Sequence, residues 1–250
     1  VSSEAADFPL SPFARAGRRL LLAVRSGLFR PRCRICGRDL VAAGETVLCR
    51  DCLAGIVPAG DDRCLVCGRF LSAGPAVCGS CLLAPPPFDR HRSYAAYEGT
   101  LRQAIILYKF AEVEPLKHLL AGLYLHTLER ELPGAYDAMV PVPADRRRHH
   151  GFQPVRACGK VLARRLGIPL RDGLLVKKRS TPPQVGLTRA QRRVNLEGAF
   201  ALAPGSRAAG LRLLLLDDVT TTGATLRRCA AVLRRGGARV TALTLAQTRL

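Results

Sequence analysis

The chain of 250 residues contains no tryptophan, and Phe and Tyr together supply only 5% of it. With so few flat rings, the sequence presents no evident platform for stacking nucleobases. Acidic side chains are also scarce, at 19 against 39 Lys and Arg, for a formal net charge of +20. Between residues 173 and 196 there is none, while Lys177, Lys178, Arg179, Arg189, Arg192 and Arg193 all fall there. That stretch is not expected to form a buried core element. It reads either as a basic flap over an anionic ligand or as a solvated loop. No apolar run approaches the roughly 20 residues of a membrane span. Residues 20–24 are apolar and follow two arginines, but Arg25 interrupts them and no small-residue cleavage site follows. An amphipathic helix over 12–29 is therefore expected instead of a signal peptide, and the cytoplasm is the expected location.

Cysteine, by contrast, is concentrated. Eight of the ten form Cys33-x2-Cys36, Cys49-x2-Cys52, Cys64-x2-Cys67 and Cys78-x2-Cys81. CRICGRDL recurs as CLVCGRFL, an internal duplication with a glycine after the second Cys of each first knuckle. Four thiolates in a tetrahedron match structural Zn2+ with no open position, so two zinc ions are expected, one per half. Neighbouring knuckles are taken to share a metal; an interleaved cross-brace is the other arrangement the spacing permits. Disulfides need an oxidising compartment, and a redox CxxC normally stands singly beside a βαβ unit. Cys158 and Cys229 fall on expected helices and read as small core residues.

The charge sorts by region. Residues 1–84 carry a net +4, which two zinc centres of four thiolates each would bring close to zero; residues 85–250 carry +16. A polyanion would meet the second region, although a generic basic surface explains the charge equally well. Ala84-Pro85-Pro86-Pro87 reads as a stiff hinge. Beyond it, strands are expected over 92–97, 137–142, 212–216 and 239–245. Helices are expected over 101–110, 116–132, 155–166 and 224–235. This alternation predicts an α/β fold with a doubly wound parallel sheet.

Within it, Leu213-Leu214-Leu215-Leu216-Asp217-Asp218-Val219-Thr220-Thr221-Thr222-Gly223-Ala224-Thr225 reads as a buried strand, two carboxylates, then a small-residue loop opening a helix. Such a loop is where an α/β sheet binds anions, through backbone N–H groups, Thr hydroxyls and the helix N-terminus. Carboxylates accept hydrogen bonds only, so they suit vicinal sugar hydroxyls or hydrated Mg2+. The run resembles the phosphoribosyl-pyrophosphate (PRPP) signature of type I phosphoribosyltransferases. That resemblance implies that Asp217 and Asp218 hold the ribose hydroxyls, and that Val219, Thr220, Thr221, Thr222, Gly223, Ala224 and Thr225 cradle the 5′-phosphate. Lys109 and Arg146–Arg148 are candidate partners for the pyrophosphate, which would carry Mg2+.

The whole order of parts resembles the ComF family of bacterial competence-related, phosphoribosyltransferase-like proteins. The pieces are the double CxxC region, Tyr97-Glu98-Gly99, Tyr108-Lys109-Phe110, Val140-Pro141-Val142-Pro143, Gly151-Phe152, Thr181-Pro182-Pro183-Gln184, Leu187-Thr188-Arg189, Arg193-Val194-Asn195 and the acidic loop. One departure is His150-Gly151-Phe152-Gln153, where the family usually reads Arg-Gly-Phe-Asn. A titratable imidazole there would hold phosphate less firmly near pH 7, unless His149 and His150 are plain surface residues. The resemblance implies an N-terminal helix over 1–30, a double zinc ribbon over 31–84 and a phosphoribosyltransferase-like domain over 88–250. It also implies binding of PRPP or ribose 5-phosphate and of single-stranded DNA, a helicase-like partner, and a role in DNA uptake during natural transformation. Two other functions fit the residues: an active phosphoribosyltransferase in nucleotide salvage, and a zinc-ribbon adaptor docking a protein partner.

Overall fold

A computed structural model describes residues 31–40, 47–74, 76–144, 152–178 and 198–249. The expected N-terminal helix, the Arg146–Arg148 cluster with His149, His150 and Gly151, and the basic segment 179–197 lie outside the described residues. The chain forms two compact units, 1–53 and 54–250.

In the first unit, Cys33 N–H donates to Arg38 O (2.7 Å), Arg34 N–H to Val47 O (3.0 Å) and Gly37 N–H to Cys33 O (2.9 Å). Helix α1 (Arg50–Ala54) follows Cys49. The second unit opens with the same pattern: Cys64 N–H to Arg69 O (2.8 Å), Leu65 N–H to Ala76 O (2.9 Å) and Gly68 N–H to Cys64 O (2.9 Å). Helix α2 (Gly79–Leu83) closes it. The sequence duplication is thus a duplication of backbone hydrogen bonding.

The rest of the second unit comprises β1 (Arg90–Ala96), α3 (Gly99–Phe110), α4 (Leu116–Glu131), β2 (Ala138–Pro141), α5 (Pro154–Leu166), β3 (Leu175–Lys177), β4 (Phe200–Leu202), β5 (Arg212–Thr220), α6 (Ala224–Arg235) and β6 (Arg239–Gln247). The main sheet has the order β1-β6-β5-β2, all parallel. Four consecutive leucines, Leu213–Leu216, are fully buried because both faces of β5 are covered. Leu226, Cys229, Ala230 and Leu233 give α6 a buried stripe at helical spacing, packed with Leu213 and Leu215 in one core cluster. Leu216 faces α5 instead, close to Gly159. Cys158 and Cys229 are core residues, as their helical positions suggested.

Three features differ from the sequence reading. Strand β5 does not stop at Leu216: it pairs with β6 through Asp217↔Thr244, Val219↔Ala246 and Thr220↔Gln247. The acidic pair therefore sits on a strand, and the loop shrinks to 221–223. The acid-free stretch from 173 does supply core. Leu174 and Leu175 are buried and β3 pairs antiparallel with β4, because two leucines precede the lysines. Third, the boundary between the two compact units falls after residue 53, whereas the stiff hinge was expected at 84–87.

Candidate functional site

Successive residues of a strand point to opposite faces, so adjacency in sequence separates the two carboxylates. Asp217 shares its face with Leu213 and Leu215, toward α6. Asp218 shares its face with Leu214 and Leu216, where Lys109 from the end of α3 brings Nζ to 2.9 Å from Asp218 Oδ2. The other Asp218 oxygen, Oδ1, accepts the Val219 N–H at 2.7 Å, and Asp217 Oδ1 accepts the Asp218 N–H at 3.0 Å. Asp217 Oδ2 is the one carboxylate oxygen of the pair with no partner among the described residues. The Tyr124 hydroxyl donates to Asp217 O at 2.6 Å and ties this end of β5 to α4.

The electrostatics follow from this placement. Burial, reinforced by the neighbouring Asp218 charge, pushes the Asp217 carboxyl up to about 8. Burial opposes the Lys109 ammonium, but the Asp218 carboxylate outweighs it and holds Lys109 above the ordinary lysine value. Burial pushes Cys158 up to about 12 and, with the charges of Cys158, Asp218 and Asp217, raises Tyr124 well above its ordinary value. One side of the pair is thus a salt-bridged carboxylate and the other a carboxyl that holds a proton near neutral pH.

Of the residues singled out in sequence, Asp217, Asp218 and Lys109 come together. Val219 and Thr220 complete β5, Thr221 and Thr222 form the loop, and Ala224 and Thr225 begin α6. Gly223 caps that helix in the left-handed region (φ 73°, ψ 8°), and a side chain there would meet only Thr220 Oγ1 within 4 Å. Its absent side chain leaves the backbone approachable, as an anion loop requires.

The cysteines converge in two sets, Cys33, Cys36, Cys49, Cys52 and Cys64, Cys67, Cys78, Cys81, with the sulfurs of each set within 4.8 Å of one another. Neighbouring knuckles share a site, and the cross-brace is excluded. A Zn–S bond of about 2.3 Å in a tetrahedron places sulfurs roughly 3.8 Å apart. Cys33–Cys52 is 3.7 Å, Cys36–Cys49 3.6 Å and Cys67–Cys78 3.7 Å, far beyond a disulfide bond. Burial works against the Cys64 thiolate, but the N–H groups of Cys78 (3.3 Å) and Cys67 (3.5 Å) point at its sulfur and bring it down to about 6. Cys33 is lowered to about 6 in the same way. Both sets fit structural zinc by donor type and spacing.

Sequence reasoning missed what joins the second ribbon to the sheet. His91, fully enclosed in β1, hydrogen-bonds Cys67 O through Nδ1 (2.8 Å) and Thr244 Oγ1 through Nε2 (3.0 Å). Thr244 is the residue paired with Asp217. Burial holds the His91 imidazole down at about 4, hence neutral. Gly68 lies so close that a Cβ would come within 2.9 Å of His91 O. Beside it, Glu131 Oε2 receives Arg63 Nη2 at 2.7 Å and Arg92 Nε at 3.2 Å, with side-chain exposures of 18%, 5% and 8%. Arg92 Nη1 also reaches Cys64 O, Leu65 O and His91 O. Arg92, a charged residue within a strand-like run, was the available signal; Arg63 lies in the second ribbon and Glu131 is far from both in sequence.

Among the described residues, no helix is long and apolar enough to cross a membrane. Residues 24–82 match the double zinc ribbon domain. The chain is 32% identical over 212 residues to the DNA utilization protein YhgH of Salmonella typhimurium, covering 82% of this chain and 92% of that protein. It is 32% identical over 219 residues to competence protein F of Haemophilus influenzae, covering 84% and 93%. Orotate phosphoribosyltransferase from Aeropyrum pernix overlaps 55% of this chain and 62% of its own at a TM-score of 0.35 and 23% identity. A score that low carries no weight for the site.

Proposed function

The chain belongs to the ComF/YhgH family, and from that premise we propose that its β5–α6 edge binds PRPP or ribose 5-phosphate, and that its basic second region binds single-stranded DNA. The observation that carries the reading is the Asp217–Asp218 pair at the carboxyl end of a central parallel strand, followed at once by a left-handed glycine and a helix N-terminus. The 5′-phosphate would sit on the N–H groups and hydroxyls of Thr220–Thr225. A ribose hydroxyl would meet Asp217 Oδ2, which has no partner among the described residues. Asp218 is held by Lys109 and Val219 N–H, so it orders the site and reaches the second hydroxyl only when Lys109 turns toward ligand phosphate. Mg2+ would arrive on the pyrophosphate and keep most of its waters, which the two carboxyls suit as acceptors.

The DNA half of the reading rests on the +16 charge of residues 85–250 and on the relatives, a DNA utilization protein and a competence protein. DNA use in such a cell would bring the chain alongside a helicase-like partner. The two zinc ribbons contribute folding and surface, with no open metal position for chemistry.

The test is a pair of titrations. Calorimetry with PRPP, with and without Mg2+, should give one site per chain. A labelled oligodeoxythymidine should bind with affinity falling steeply with salt, as neutralising several phosphates demands. Undetectable PRPP binding removes the ribose-phosphate site; salt-independent or absent oligonucleotide binding removes the DNA surface.

A further inference from the structure

We propose that His91 and Thr244 are positioning residues that couple the second cysteine set to the β5–α6 edge, so that metal on the one and ligand on the other strengthen each other's binding. This rests on the ribose-phosphate reading of that edge. The shared wall is the end of β6 with the two residues after it, 244–249. Toward β5, Thr244 pairs with Asp217 and Gln247 with Thr220, and Thr248 N–H donates to Thr220 O at 3.0 Å. Toward the second ribbon, the same segment is met in three places. His91 bridges Cys67 O and Thr244 Oγ1, at 2.8 and 3.0 Å. A Cβ on Gly68 would come within 3.5 Å of Gln247 Oε1, and the Arg249 guanidinium carbon lies 4.6 Å from the centre of the Phe70 ring. The first cysteine set belongs to the other compact unit, which makes it an internal control.

Hydrogen placement gives the bridge its direction. A carbonyl only accepts, so His91 Nδ1 donates to Cys67 O, and in the neutral ring Nε2 accepts from the Thr244 hydroxyl. That hydroxyl has one hydrogen and a second acceptor, Ala246 O, at 3.4 Å. A fully buried group thus has two arrangements, with its hydrogen toward His91 or toward Ala246. Metal on the four sulfurs holds the Cys64–Cys67 turn closed, and with it the aim of Cys67 O at His91. When the turn loosens, the ring loses its fixed acceptor and the Thr244 hydroxyl turns to Ala246 O. Thr244 and Asp217 are partners in a parallel ladder with side chains on one face, so the change lies directly beside the Asp217 carboxyl. Such coupling is reciprocal: the factor that metal adds to ligand affinity is the factor that ligand adds to metal affinity.

The test uses the full chain, with PRPP and Mg2+ as the probe. Cys64→Ser, which removes one ligand of the second set, should weaken PRPP binding about 5- to 150-fold in calorimetry, whereas Cys36→Ser in the first set should leave it unchanged. Thr244→Val keeps the side-chain shape without the hydroxyl; it should retain both zinc ions and weaken PRPP binding, with Thr244→Ser restoring it. In the Thr244→Val background, Cys64→Ser should add little, because the link is already cut. Equal effects of Cys64→Ser and Cys36→Ser, no effect of Cys64→Ser or of Thr244→Val, or losses that simply multiply in the double variant overturn the coupling. If Cys64→Ser fails to fold, zinc release to a chelator takes its place. PRPP should then slow the loss of one ion from the wild-type chain and of neither from Thr244→Val; wild-type rates unchanged by PRPP overturn the coupling. If the wild-type chain binds no PRPP, the site reading falls, and amide exchange at residues 217–220 decides the coupling: exchange quickened by chelation supports it, and unchanged exchange overturns it.

Discussion

Replacing Glu131 by Gln removes one negative charge from between two buried guanidinium groups while keeping the side-chain volume. Breaking a buried ion pair by removing one partner costs about 3–5 kcal/mol, because the remaining charge is left desolvated. Here the arginines retain other acceptors: Arg63 keeps Gly60 O and Ser93 O, and Arg92 keeps Cys64 O, Leu65 O and His91 O. Those carbonyls bring the expected cost to the lower end, about 3 kcal/mol, or roughly 6–12 °C in the melting midpoint of a unit of this size. Urea unfolding of Glu131→Gln measures it directly. Lys117→Met is the control: it breaks the exposed Lys117–Glu114 pair (3.0 Å) and should stay within about 0.5 kcal/mol. Because Arg92 also holds the carbonyls of the Cys64 knuckle, Glu131→Gln should hasten chelator removal of one zinc. A loss below about 1 kcal/mol, no larger than the control, would refute the claim that this triad fastens ribbon to sheet.

Two further perturbations bear on the metal and on the acidic pair. Cys64→Ser and Cys36→Ser should each lower bound zinc from two ions per chain to one, measured by mass spectrometry of the folded protein; loss of both ions from either variant would contradict two independent four-cysteine sets. Asp217 holds its proton up to about 8 when folded, against an ordinary 3.8, so between these values the folded chain binds a proton that the unfolded chain has released. Stability should therefore fall as pH rises across that window, and Asp217→Asn should flatten the fall and raise the melting midpoint at pH 8 in buffer without Mg2+.

Much of this organisation was legible in the sequence. Alternation at 92–97, short apolar runs for the other sheet strands and 3.6-residue spacing for the helices located these elements, since central parallel strands bury both faces and each helix buries one. The knuckle spacing identified all eight ligand cysteines and their halves. What periodicity cannot reveal is pairing across long separations. Strand β5 runs through Asp217 and Asp218 because β6 supplies partners to Gln247, and the pleat then divides the two carboxylates between opposite faces. Lys109 was legible as a basic residue near the site but not as the counter-ion of Asp218. Nor could Arg63, Arg92 and His91 be recognised as the fastening of the second ribbon, because Glu131 and Thr244 lie 68 and 153 residues from Arg63 and His91 respectively.

The central claim is a ribose-phosphate site at the end of β5, and calorimetric titration of the Asp217→Asn/Asp218→Asn double variant with PRPP and Mg2+ tests it most directly. The account predicts that binding seen in the wild-type chain disappears, while zinc content stays at two ions per chain. Retained PRPP affinity in a folded, zinc-replete double variant would contradict it.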